Sequence, residues 1–261
     1  MYYTLGYNSI VDSISKAMNS CDLSFYDYNE FIKRNSVFSD IPDKNTLLIT
    51  SYEGGFPFCY DYLISLKNKF SNNSQKIEKM IKDNTFHKWL NTLSKNAQIY
   101  RLVNKVIKMI VINKLSSYTN GTTQDTIGLA FIDFKDNFNY QDFLELIFHQ
   151  LIHMILFIDD IANFHMENDT KLITIEVEGV KSVFHDNKFP LYTLFHSYIV
   201  GIEILMFRKN FFNDNSFSRY HGSTDRIIKL CRIFSIAIEK NMSFLETRSK
   251  YIFEKSKKLI N

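Results

Sequence analysis

Apolar residues recur at three- and four-residue spacing over residues 10–18, 25–32, 59–70 and 86–114. That spacing gathers them on one face of a helix, so the first half of the chain is predicted to be helical. Three polar stretches interrupt it. Residues 51–57 carry Gly54-Gly55 and Pro57, residues 71–74 are Ser-Asn-Asn-Ser, and residues 116–125 contain Asn120-Gly121. Such clusters read as turns and loops. The third ends the long helical region and predicts a division into a helical N-terminal region, 1–120, and a second lobe, 121–261, unless both belong to one continuous domain.

The pattern changes after that break. Residues 126–134 form a short run rich in β-branched and aromatic side chains, the signature of a buried strand. A strongly apolar helix is predicted to open at Asn139 or Tyr140. Residues 172–178 alternate and predict a second strand, which 180–184 can continue past Gly179. Pro190 suits the first turn of a further helix running to about Phe211, because its fixed φ is helical and it has no N–H to leave unpaired. After a polar loop at 213–224, helices are predicted over 225–240 and 243–257. The fold class is α+β, predominantly helical, with a helical N-terminal region packed on a C-terminal lobe that holds a small sheet.

Composition adds limits. With 261 residues, 45% hydrophobic and 15% aromatic, the chain can bury a core without covalent staples. Cys21, Cys59 and Cys231 are an odd number, widely spaced, and predict neither a disulfide framework nor a thiolate zinc site. The first residues lack a basic stretch followed by an apolar run, so no signal peptide is expected and a cytoplasmic setting fits. A net charge of +3 with dispersed lysines demands neither nucleic acid nor membrane. The most apolar segments, 143–164 and 190–207, are interrupted by ionisable residues and read as buried helices, since a span tolerates few charges.

Candidate chemistry sits in the first of those helices. His149 and His153 are four residues apart, one helical turn, so both imidazoles project from one face. This is the spacing of the H-E-x-x-H metal helix, in which two ring nitrogens reach one cation and the glutamate takes a proton from bound water. Here Gln150 stands in the glutamate's place, and an amide is not a base. A catalytic metal usually takes three protein ligands, and His196 in the second apolar helix is the candidate third; a histidine there can equally be a hydrogen-bonded core residue. Asp160 lies two turns from His153, and Glu203 two turns from His196. At roughly 10 Å along a helix, neither can readily share a metal with that histidine, so both are expected to support the site or the fold. His165, His185 and His221 lie in polar surroundings and read as surface residues, with His185 and Asp186 also able to line the cleft.

The run Phe143-Leu-Glu-Leu-Ile-Phe-His-Gln-Leu-Ile-His-Met-Ile-Leu156, followed by Phe189-Pro-Leu-Tyr-Thr-Leu-Phe-His-Ser-Tyr-Ile-Val200, resembles the H-E-x-x-H-type peptide β-hydroxylases. The likeness spans roughly residues 126–212. It implies two metal-bearing helices, with His149, His153 and His196 as ligands, and an Fe(II)- and 2-oxoglutarate-dependent hydroxylation of a β-carbon in a ribosomally made precursor peptide. The chain departs from the pattern at Gln150 for Glu, Phe189 for the Arg before Pro, and Ser197 for Gly. Lys188 is then the nearest cation for the oxo acid, as a point charge in place of a guanidinium fork.

Three functions compete on these residues. An oxygenase needs open iron positions and no protein base, so it tolerates Gln150. A catalytically silent relative would keep the fold and grip a peptide. A Zn(II) hydrolase would need another carboxylate in place of the lost one, for which Glu145 is the nearest candidate.

Overall fold

Helices dominate the structure, a computed structural model that describes residues 1–38, 41, 47–51, 59–66, 70–115, 121–177, 180, 188–212 and 217–260. Among these the fold is mostly helical α+β, with one three-stranded and three two-stranded sheets. The chain divides into two units, one formed by Met18–Phe157 and the other by Met1–Ala17 with Ile158–Asn261. The division falls inside the helix Tyr140–Asn163.

In the first unit, strands Leu48–Thr50, Met109–Ile112 and Leu129–Ile132 form a parallel sheet with Met109–Ile112 in the centre, Ile110 lying opposite Ile49 on one side and Ala130 on the other. The polar break at 116–125 therefore lies within this unit, between two paired strands; its residues 116–120 lie outside the described ones. The expected helix over 86–114 resolves into helices Thr85–Asn91 and Ala97–Val106 followed by the strand Met109–Ile112. All four strand residues are buried. A strand covered on both faces reads as a continuous apolar run, which periodicity does not separate from a buried helix. The segment 126–134 does form the expected strand, over Leu129–Ile132. Gly128 precedes it with φ +93°, and a Cβ there would approach the Ile32 and Phe38 side chains to 3.1 Å. Its carbonyl accepts the N–H groups of Lys108 and Met109 at 2.8 and 3.0 Å, fixing the start of the central strand.

The helix Tyr140–Asn163 begins with a reciprocal cap. Asn139 N–H donates to the Asp142 carboxylate at 2.9 Å, and Asp142 N–H donates to the Asn139 side chain at 3.1 Å. Two otherwise orphaned donors are thereby satisfied. Aromatic packing then seats the first turns: Phe86 meets Phe143 and Phe134 at ring distances of 4.9 and 5.1 Å, and Trp89 meets Tyr140 edge-on.

In the second unit, helices Leu191–Phe211 and Thr224–Glu239 pack closely at Gly201, where a Cβ would come within 2.6 Å of the Cys231 sulfur. Pro190 precedes the first of these helices, one residue outside the expected turn, and also ends the strand Lys188–Pro190, which pairs antiparallel with Thr174–Glu176. The helix Thr247–Lys257 closes the chain's helical set. No helix among the described residues is long and apolar enough to cross a membrane.

Candidate metal centre

From Asp142 to Asp160 every residue is buried except His149 and His153. Those two imidazoles alone in this stretch keep partial exposure. Their Nε2 atoms stand 3.1 Å apart, with ring centroids at 4.8 Å. Without a cation that spacing is one N–H···N hydrogen bond. It is also the bite of two ligands on one ion: nitrogens about 2.1 Å from a shared metal at angles of about 90–109° lie roughly 3.0–3.4 Å apart. His153 lies nearly parallel to Phe157, at 6.3 Å. His153 is half-buried, and desolvation of its ring pushes the imidazole down to about 4, which keeps the ring in the neutral form that binds metals.

Gln150, in the same turn, is 0% exposed, and among the described residues neither polar atom of its amide meets a hydrogen-bond partner. Glu145 is equally buried and accepts the Gln141 amide N–H at 2.7 Å.

Among the described residues, no group of three His, Cys, Asp or Glu side chains is arranged to hold a metal. The structure brings His149 and His153 together as a pair. His196, in the other unit, is 2% exposed and packs against Tyr192 at a ring distance of 4.2 Å and His165 at 6.3 Å. His185 and Asp186 lie outside the described residues. Lys188 is exposed on its hairpin, 4.0 Å from the Glu176 carboxylate.

The two supporting carboxylates are engaged within the second unit. Asp160 accepts the Lys171 ammonium at 2.6 Å, the Tyr192 hydroxyl at 2.9 Å and the His165 N–H at 2.7 Å. Glu203 accepts the N–H groups of Tyr3 and Thr4 at 2.9 Å, the Thr4 hydroxyl at 2.7 Å, and the Met1 ammonium. Both act as anchors of the fold.

His165 overturns its expectation as a surface residue, since it is 0% exposed. Its Nε2 lies 2.7 Å from Asp159, whose two oxygens also accept Arg248 at 2.7 and 3.0 Å and the Ser13 hydroxyl at 2.5 Å. Burial alone would raise the Asp159 carboxyl, but the His165 and Arg248 hydrogen bonds outweigh it and hold the group well below the usual range. The signal for this cluster was Asp159 itself, a carboxylate inside an apolar helix, which is rarely buried unpaired. The polar residues around His165 concealed its partners.

Among known proteins, no family model matches the chain, and no curated protein matches it either.

Proposed function

We propose that the protein is a mononuclear Fe(II) oxygenase that uses 2-oxoglutarate and hydroxylates a side-chain β-carbon of a ribosomally made peptide. The observation that supports it is the pair of convergent Nε2 atoms at 3.1 Å, at the two positions from Asp142 to Asp160 that keep partial exposure. Their donor set and spacing fit a divalent cation. The resemblance implies a peptide as substrate. When bound, iron with its oxo acid would supply the oxidising power for attack on an unactivated C–H bond. The chain's own residues do the rest. His149 and His153 present two ring nitrogens from one helical turn. Gln150 offers no base, and the Glu145 carboxylate is buried with Gln141. A hydrolase lacking its base forfeits roughly 10²- to 10⁴-fold in rate, whereas an oxygenase has no such requirement.

The test is anaerobic loading with Fe(II), removal of free metal, and metal analysis. The expected result is one iron per chain, lost in both His149→Ala and His153→Ala variants that remain folded by circular dichroism. Peptide binding by a protein that retains no metal would replace this reading with the silent binder.

A further inference from the structure

A second site lies in the Met18–Phe157 unit, in a cavity of about 230 Å³ lined by Tyr28, Lys105 and Lys108, with Asp27 and Glu30. Lys108 is only 7% exposed, yet its ammonium meets no hydrogen-bond or ion-pair partner among the described residues; its one neighbour of note is the Tyr28 ring, 5.4 Å away. Lys105 stands over the same ring at 5.0 Å and over Phe25 at 4.4 Å, and donates to the Phe25 carbonyl at 2.9 Å. Asp27 and Glu30 at the rim each accept hydrogen bonds from a neighbour, and the Asp27 carboxylate also lies close enough to Lys105 to act on its charge. Asp27 accepts the Ser24 N–H and hydroxyl at 3.1 and 2.6 Å, and Glu30 accepts Arg34 at 3.2 Å.

The Lys108 stem is buried while its ammonium lines the cavity, where no carboxylate among the described residues bonds it; a partly desolvated cation is stabilised by an anion that can reach it. Lys108 N–H donates to Gly128 at 2.8 Å and its carbonyl accepts Leu48 N–H at 3.0 Å, so its backbone is held at the start of the central strand.

We propose that this cavity binds a small oxyanion, a phosphate or a carboxylate, between the ammonium groups of Lys105 and Lys108. The proposal is independent of the metal pair. Burial, and then the neighbouring charge of Lys105, pushes Lys108 down to about 8, so the second cation is present at neutral pH and an anion would restore it further. The buried Tyr28 ring forms one wall and gives each ammonium a π face, a contact that leaves its N–H groups available to an acceptor.

The experiment is a thermal melt and calorimetric titration of the full chain with inorganic phosphate and, separately, succinate, against chloride at equal ionic strength. One or both anions raise the melting temperature, as a ligand of the native state must; which of them does so identifies the source of the oxyanion. Charge-assisted hydrogen bonds contribute enough that Lys108→Met and Lys105→Met each weaken the affinity about 10- to 100-fold, while Lys95→Met, at an exposed position, leaves it unchanged. If Lys108→Met fails to fold, Lys105→Met carries the same test. No rise with either anion, or lysine variants that bind within less than tenfold of the native protein, overturns the site.

Discussion

Asp159 and His165 meet at 2.7 Å with both side chains fully buried, six residues apart across the end of the helix Tyr140–Asn163. Arg248 holds the other side of the carboxylate, so one buried anion ties three segments of the second unit. Removing one member of a buried charged set leaves the others without a counter-charge. Asp159→Asn should therefore cost about 3–5 kcal/mol in urea unfolding. A loss below about 1 kcal/mol, the scale of a surface pair, would show that the cluster carries little stability.

The same carboxylate sets a pH dependence. Its folded-state pKa lies below the value of about 3.9 expected in the unfolded chain, so the unfolded state takes up the proton first as pH falls. Its stabilising contribution is complete above that unfolded value and is lost as the pH falls toward the folded one. Urea midpoints measured from pH 6 down to pH 3 should decline for the native chain, and less steeply for Asp159→Asn. Parallel profiles would remove Asp159 as the source.

Gly201 is fixed by close approach. Gly201→Ala places a methyl 2.6 Å from the Cys231 sulfur, and overpacking of this kind costs about 1–3 kcal/mol. Adding Cys231→Ala should recover part of that loss in the double variant. No recovery would mean that the helix backbone, not the sulfur, is the obstacle.

Gln150 carries a prediction of opposite sign. A buried amide without partners costs about 1–3 kcal/mol, so Gln150→Met should raise the denaturation midpoint and Gln150→Glu, which buries a carboxylate, should lower it. Peptidase activity in Gln150→Glu would revive the hydrolase. A fall with Met would show that the amide is satisfied in solution.

The helices were legible where one apolar face met a clear stop. The Asn139 cap, Pro190 and the closing helices stand within a few residues of expectation because caps and prolines act locally. Strand Met109–Ile112 was hidden, since burial on both faces erases the alternation that distinguishes strand from helix. In the candidate site, the relation of His149 to His153 followed from helical spacing alone. The burial of His165 did not, because its partners Asp159, Ser13 and Arg248 are assembled by tertiary packing. Nor did the burial of the Lys108 stem, which follows from its place at the start of the central strand.

Oxo-acid binding at the His149–His153 iron is read by anaerobic titration of the Fe(II)-loaded protein with 2-oxoglutarate, followed as a visible charge-transfer band, with His153→Ala alongside. A saturable band in the native chain and none in the variant is the expected result. Stoichiometric iron with no band at any oxo-acid concentration would contradict the oxygenase.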